Sequence, residues 1–148
     1  MEAYRVHVLV SAVEREGRFA YGIVIRSGRG RVLRQLGRAV EGDDVRGVLL
    51  RAVLRALWIA RRYGRTVRMA LDHPEVVRWL SHTEEVAPQF LGTYLQIRAL
   101  VHTYRRVHVG LASEEERGRS QRVARHFLGE PARPADSPLW AGSYASTA

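Results

Sequence analysis

Cysteine is missing from this sequence of 148 residues. Its absence excludes disulfide bonds and metal sites built from thiolate ligands. The six histidines show no pair at the spacing of one helical turn, and no glycine-rich loop joins a strand to a helix. The sequence therefore predicts neither a histidine-based metal site nor a phosphate-binding loop of the P-loop type.

Long apolar runs are also missing, and none is long enough to cross a bilayer. The first residues, Met1–Arg5, lack the basic and then apolar segments of a secretory signal peptide. These absences predict a protein that has no membrane partner and is located in the cytoplasm.

Lysine is absent as well, so all 24 basic residues are arginine, and they exceed the 15 acidic residues to give a formal net charge of +9. An excess of positive charge favours a polyanionic partner, above all nucleic acid. The planar guanidinium group also suits bidentate binding of phosphate. The arginines are nevertheless spread along the chain, and a genome-wide compositional bias would also remove lysine, so charge alone leaves both explanations open.

Residues 1–130 are predicted to form one domain, because the chain length suits a single hydrophobic core. Residues 131–148 are rich in alanine, serine and proline and are predicted to be a mobile C-terminal tail. Within this tail, Leu139, Trp140 and Tyr144 are the side chains that would hold it against the domain or against a partner chain.

The first forty residues alternate between apolar and other side chains at the period of a β-strand. Along the first strand, Tyr4, Val6 and Val8 share one face. Short segments with turn residues, 14–17 and 27–30, separate three such runs and predict an antiparallel meander. The predicted strands are Tyr4–Ser11, Arg18–Ile25 and Arg31–Val40.

The periodicity then becomes helical after Asp43 and Asp44, whose charges suit a helix N-terminus, and Gly64 ends this helix. Ser113 and Glu116 have the spacing of a capping box, so the last helix is predicted to begin there and to run to about Leu128. Between these helices the sequence predicts a strand at Val67–Leu71, a helix at Pro74–Leu80, a helix that begins at Pro88, and a strand at Arg106–Leu111. The order β-β-β-α-β-α-α-β-α predicts an α/β fold with a five-stranded mixed sheet and helices on both faces.

Asp72 stands where the fourth predicted strand ends, just before Pro74 begins a helix. An acid at the carboxyl end of a strand, beside a helix N-terminus, is where α/β folds place chemistry. Asp72 is equally suited to cap the following helix, and the two roles are compatible. Its neighbour His73 would reach a phosphate or a metal-bound water, or would be a solvent-exposed loop histidine.

This order of elements, with Asp72 at the end of the fourth strand, resembles the ribonuclease H-like family over residues 4–128. Three stretches carry the resemblance, namely Asp72–Leu80, the long helix Leu49–Gly64 and the last helix Arg117–Leu128. The resemblance implies the ribonuclease H fold and hydrolysis of the RNA strand of an RNA–DNA hybrid. In that chemistry, carboxylates hold two Mg²⁺ or Mn²⁺ ions about 4 Å apart.

The family's carboxylate positions are mostly not acids in this chain. The first-strand acid falls at Ser11, the long-helix glutamate near Leu49, the fourth-strand acid at Asp72 and the final-helix aspartate near Gln121. The loop 112–118 lacks the histidine that the family often has there, and residues 81–87 carry two glutamates in place of a basic, aromatic protrusion. Since one carboxylate cannot hold two divalent ions, Asp72 is the one predicted metal ligand, if a metal binds at all.

Three functions follow as hypotheses. The first is a ribonuclease H-like domain that binds an RNA–DNA hybrid or a duplex without cutting it, through Arg46, Asp72, His73, Arg117 and Arg119 around the vestigial positions Ser11, Leu49 and Gln121. The second is a Mg²⁺- or Mn²⁺-dependent ribonuclease H whose ligands have been relocated around Asp72. Its further ligands would come from Glu14, Glu16, Asp44 and Glu114–Glu116.

The third hypothesis is a homodimeric scaffold or interaction protein. Trp58, Trp79 and Trp140 would supply the apolar surface of such an interface. The favoured alternative is that Trp58 and Trp79 pack onto the sheet.

Overall fold

A computed structural model describes residues 4–132, so Leu139, Trp140 and Tyr144 of the predicted tail lie outside the described residues. The elements match the predicted order. The strands are β1 (Val6–Arg15), β2 (Arg18–Ser27), β3 (Val32–Val40), β4 (Thr66–Leu71) and β5 (Arg106–Leu111). The helices are α1 (Val45–Ala60), α2 (Pro74–Leu80), α3 (Leu91–Val101) and α4 (Glu114–Phe127), and a 3₁₀ turn at Pro88–Phe90 precedes α3.

The five strands form one mixed sheet in the order β3-β2-β1-β4-β5. The first three strands are antiparallel neighbours, as the meander predicts, whereas β4 runs parallel to both β1 and β5. The predicted α/β fold with a five-stranded mixed sheet is therefore confirmed. No helix within residues 4–132 is long and apolar enough to span a membrane.

The first hairpin turn is shorter than the sequence predicts. Instead of a turn over residues 14–17, β1 continues to Arg15, and Glu16 and Gly17 alone form the loop, with φ of 52° and 78°. Positive φ at both central residues is the geometry of the two-residue turn that matches the twist of adjacent strands. Glu14 therefore lies on β1, where its carboxylate accepts a hydrogen bond from the Gly17 N–H at 2.9 Å.

Helices cover both faces of the sheet. Helix α1 packs on β1 and β2 from one side and also against α3, whereas α4 packs on β1, β2 and β3 from the other side. The larger core lies under α1 because its apolar residues recur at three-and-four spacing and meet the even-numbered residues of β1. A smaller core of Leu9, Val24 and Ala70 lies under α4.

Two side chains of α1 differ from expectation. Arg55, which the periodicity places off the apolar stripe, is buried. Trp58 is 42% exposed, so the interpretation that it packs onto the sheet is wrong, because Arg61 rather than the sheet covers its ring at 5.4 Å. Trp79 does pack inside, where it is buried against Phe90 with ring centroids 5.5 Å apart.

Gly22, in the middle of β2, sets how closely α4 approaches the sheet. A Cβ atom at this position would overlap the carbonyl oxygen of Ser120 and the backbone nitrogen of Ala124. Both atoms belong to the helix backbone, which cannot move aside as a flexible side chain would. The helix therefore rests directly on the strand.

Replacing Gly22 with alanine is expected to lower the free energy of unfolding by about 1–3 kcal/mol, the usual cost of overpacking a core contact. Gly118 of α4 provides the control, since a Cβ there has nothing within 4 Å. Gly118→Ala should raise stability by about 0.5–1 kcal/mol because alanine favours the helix. Urea unfolding followed by circular dichroism measures both, and equal effects of the two substitutions would refute the close-approach argument.

Candidate functional site

The carboxyl ends of β1 and β4 lie side by side because these two central strands are parallel. Val10 of β1 pairs with Leu71 of β4, so the next residues along each strand, Ser11 and Asp72, are neighbours at this edge. Helix α4, which covers this face of the sheet, brings Ser120 next to Ser11 and Gln121 next to Asp72. The candidate site is this cluster of four residues.

Hydrogen bonds join the four side chains into one chain. Gln121 Nε2 donates to Asp72 Oδ2 at 3.0 Å, and the Ser11 hydroxyl is hydrogen-bonded to the same carboxylate. The Ser11 and Ser120 hydroxyls, both fully buried, are also bonded to each other. The Ser120 hydroxyl also has an acceptor in its own helix, the Glu116 carbonyl oxygen at 3.2 Å, and its one proton can serve only one of these two bonds at a time.

The pKa of Asp72 lies above its ordinary value of 3.8. Burial is the largest cause, because the ionised carboxylate loses its water. Hydrogen bonds from Gln121 and Ser11, and the nearby charge of His73, favour the ionised form but do not cancel the effect of burial. The cluster therefore favours the neutral acid more than water does.

The fourth position implied by the resemblance is separate from this cluster. Leu49 is buried in the main core with the inner strands and the rest of the apolar face of α1. Three of the four positions therefore come together, namely Ser11, Asp72 and Gln121. At the fourth position the long helix has the apolar side chain of Leu49 where the resemblance implies a glutamate.

The donor set of this cluster does not fit two divalent ions. Mg²⁺ and Mn²⁺ favour several oxygen ligands with negative charge, but the cluster has one carboxylate, two hydroxyls and an amide. Elsewhere within residues 4–132, no group of three or more His, Asp or Glu side chains is arranged to hold a metal ion.

Four of the six acids considered as relocated ligands have other partners. Glu14 binds its own turn, Asp44 caps α1 by accepting from the Arg46 N–H at 2.8 Å, and Glu116 completes the capping box of α4 with Ser113. Glu115 pairs with Arg119 at 2.8 Å. Glu16 and Glu114 are exposed, the first in the hairpin turn and the second in the first turn of α4.

His73, not Asp72, is the N-cap residue of α2, so the suggested capping role of Asp72 is wrong. The Asp72 side chain turns instead toward α4. The His73 side chain makes no capping bond, and its Nδ1 atom is buried without a hydrogen-bond partner among the described residues. The ring is half-buried beside Asp72 rather than a freely exposed loop side chain.

Arg46 belongs to a structural network next to the cluster. Its guanidinium binds Asp44 at 2.7 Å and Glu75 at 3.0 Å, and lies within 6 Å of the Trp79 and Phe90 ring centroids. Hydrogen bonds to the two carboxylates raise the pKa of Arg46 further above its ordinary range. Arg46 therefore joins α1 to α2 before any ligand arrives.

The other two predicted arginines lie on the exposed side of α4. Arg119 pairs with Glu115 of the same helix. Arg117 is exposed and forms no ion pair with the described residues. Neither side chain hydrogen-bonds to Asp72, and Arg119 lines a pocket with Gln35 and Leu36 of β3, so neither belongs to the cluster.

A family profile described as reverse transcriptase-like matches residues 8–126. The chain belongs to this ribonuclease H-like family. None of the curated proteins matches it in sequence.

Solved structures show the same fold at low sequence identity. RNase H1 from Halobacterium salinarum is 19% identical with a TM-score of 0.77, over 84% of this chain and 97% of that one. The N-terminal RNase H domain of a Mycobacterium tuberculosis protein is 20% identical with a TM-score of 0.77, over 83% and 98%. An RNase H1 isolated from compost, solved with an RNA/DNA hybrid, is 14% identical with a TM-score of 0.76, over 83% and 96%.

Sequence reasoning did not single out Ser120. Its signal was weak, because a serine in the middle of an amphipathic helix usually faces solvent. The helical period would have placed it one turn after Glu116 on the face that meets the sheet. Only the contact with Ser11, 109 residues away, shows that it belongs to the cluster.

Asp72→Asn should stabilise the fold at pH 7.5 by up to about 1 kcal/mol, the scale of a typical single substitution. Asparagine keeps an oxygen that accepts from Gln121 but carries no charge. Because the folded-state pKa of Asp72 is raised, ionisation destabilises the fold as the pH rises through that pKa, and the difference should vanish below pH 3.8.

Thermal unfolding between pH 3 and 8 measures this difference. The exposed Asp43, changed to asparagine, is the control for losing one negative charge from a basic protein. A variant Asp72→Asn that is less stable than the parent at pH 7.5 would mean that hydrogen bonding to the carboxylate outweighs its burial.

Proposed function

We propose that this protein binds nucleic acid on a ribonuclease H-like scaffold and does not hydrolyse it. The observation that carries the proposal is the hydrogen-bonding of Asp72 by Gln121 and Ser11. These two residues stand at positions where the resemblance implies acids, and they contribute neutral donors. A single carboxylate held by neutral donors suits a contact surface better than a two-metal centre.

Charge supports the same proposal. Replacing three carboxylates with neutral side chains removes repulsion of phosphate from this edge of the sheet, in a chain whose net charge is +9. Arginine is well suited to phosphate because its planar guanidinium group donates two parallel hydrogen bonds. The compost RNase H1 was solved with an RNA/DNA hybrid, and a foamy viral protease–reverse transcriptase with double-stranded DNA. An RNA–DNA hybrid or a duplex is therefore the proposed ligand.

The proposed contacts divide into direct and supporting side chains. Arg117 and Arg119, on the exposed side of α4, would bind the phosphate backbone, and His73 would approach a phosphate at the N-terminus of α2. Asp72 would form part of the contact surface with its proton retained more readily than in water. Arg46 would hold α1 and α2 in place, since its guanidinium already has two carboxylate partners.

Labelled RNA–DNA hybrid, duplex DNA and single strands, with and without Mg²⁺ or Mn²⁺, test the proposal in one gel series. The parent and Asp72→Asn should both shift duplex-type ligands and leave them uncut. With about four phosphate contacts, affinity should fall about 10²-fold between 50 and 200 mM salt. Arg117→Gln should weaken binding and lower the salt slope, whereas Arg62→Gln, at an exposed position beyond α1, is the control.

The other outcomes separate the alternatives. Hybrid that is cut by the parent with Mg²⁺ or Mn²⁺ but spared by Asp72→Asn would establish the ribonuclease with relocated ligands. The absence of any shift would contradict nucleic-acid binding and point to a protein partner.

A homodimeric scaffold is a second candidate because apolar side chains are exposed on the α1 and α3 layer. Trp58 on α1 is 42% exposed and Leu95 on α3 is 56% exposed. If this surface joins two copies, light scattering should give twice the monomer mass, and Leu95→Glu should restore the monomer. A monomeric parent at high concentration would remove this candidate.

A further inference from the structure

A row of basic residues crosses the sheet on the side of α4, away from the Asp72 cluster. In the strand register, His7 of β1 lies opposite Arg26 of β2 and Arg68 of β4, and Arg68 lies opposite His108 of β5. Neighbours in register point to the same face of a sheet. With Tyr4 and Arg106 at its outer end, we refer to this row as the basic shelf.

The outer part of the shelf, on β4 and β5, is not covered by α4, because this helix does not reach the last strand. This helix packs over β1, β2 and β3 and makes few contacts with β4. At the outer end Arg106 stacks over the Tyr4 ring at 4.3 Å, and the Tyr4 and His108 ring centroids are 6.3 Å apart. The surface beside them is open among the described residues, since a Cβ atom at Gly110 would meet only the His108 ring nitrogen, at 3.5 Å.

Glu116 holds the inner arginines of the shelf in position. Its Oε2 atom is 2.8 Å from Arg68 Nη1 and 3.8 Å from Arg26 Nη2, while its Oε1 atom accepts from the Ser113 N–H at 2.9 Å. Burial raises the pKa of Glu116, but the bonds and charge of Arg68 and the Ser113 backbone outweigh it and leave this pKa below 4.5. Glu116 is therefore a permanent anion at neutral pH.

Among the described residues, the inner part of the shelf carries more positive than negative charge. Arg26 and Arg68 share Glu116, and the exposed Glu115 lies closer to Arg119 (2.8 Å) than to Arg26 (3.5 Å). Within the described residues Arg68 hydrogen-bonds only through Nη1, which leaves its other donors for a second anion. A phosphate group can accept from these donors because Glu116 has already fixed the guanidinium plane.

We infer that the basic shelf is a second contact for the phosphate backbone of a nucleic acid and extends the footprint beyond the Asp72 cluster. The inference rests on the proposed function. Arg68 and Asp72 are four residues apart along β4, about 13 Å at 3.3 Å per residue. That distance equals about four base-pair steps of 3.4 Å, so one bound duplex can span both regions.

His7 offers a readout inside the shelf. Burial lowers its pKa, as do the neighbouring charges of Arg68 and Arg26, and Glu116 opposes them. A phosphate near these groups would add negative charge and favour protonated His7. Its ring signals in an NMR titration should therefore report a higher pKa when duplex DNA is bound.

Fluorescence anisotropy of the full chain with duplex DNA and with RNA–DNA hybrid, from 50 to 200 mM salt, tests the inference. The double variant Arg106→Gln, His108→Asn changes two exposed side chains and should weaken binding about 5- to 10-fold at 50 mM, with a salt slope lower by about one. Glu116→Gln keeps a capping-box side chain but removes the negative charge, so it should tighten binding about 3- to 10-fold. Arg62→Gln, on exposed Arg62 beyond α1, is the control for losing one positive charge.

The gain in affinity with Glu116→Gln cannot result from a folding defect, which keeps the test decisive if another variant is unstable. The shelf would be overturned, with the proposed function intact, by three results together. The parent binds, the double variant binds as well as Arg62→Gln does, and Glu116→Gln shows no gain in affinity. A parent that binds neither ligand would overturn both.

Discussion

The contact between α4 and the central strands depends on Gly22. Because this residue lacks a Cβ atom, the backbone of α4 at Ser120 and Ala124 rests on β2. The approach in turn determines where the rest of the helix lies. One turn before Ser120, Glu116 reaches Arg68, and one residue after Ser120, Gln121 reaches Asp72. One close backbone contact therefore sets the geometry of both polar regions on this face of the sheet.

The two regions differ in their electrostatics although one helix builds both. Around Asp72 the partners are neutral hydroxyl and amide groups, and burial favours the protonated acid. Around Glu116 the partners are guanidinium groups, and they favour the ionised acid in spite of burial. Two acids on one face, Glu116 buried and Asp72 partly buried, thus have pKa values displaced in opposite directions, and the difference lies in the charge of the side chains that approach them.

Local patterns predicted most of the fold, because period two and the three-and-four spacing report which side chains are buried. The Ser113–Glu116 capping box and the cap at Asp44 are local as well, and both were predictable. The end of β1 was not, since Glu14 and Arg15 look like turn residues although they pair with β2. Arg55 and Trp58 differ from prediction because burial around a helix depends on what packs against each side.

The candidate site was predictable only in part. Asp72 could be recognised from its place at a strand end, and the resemblance pointed to Ser11 and Gln121. The direction of the Asp72 side chain could not be predicted, because a capping bond and a bond to α4 are equally compatible with the local sequence. The alignment of His7 with Arg26 and Arg68 required the register of three strands, which no local pattern specifies.

The bond between Ser11 and Ser120 also affects how the protein is made. The two residues are separated by 109 positions, so during synthesis Ser11 emerges long before its partner exists. At about 5–20 residues per second, the inner face of β1 waits roughly 5–20 s for the helix that will cover it. Folding of this domain is therefore completed only as its last helix leaves the ribosome, and until then the face of β1 that carries Leu9 and Ser11 has no helix over it.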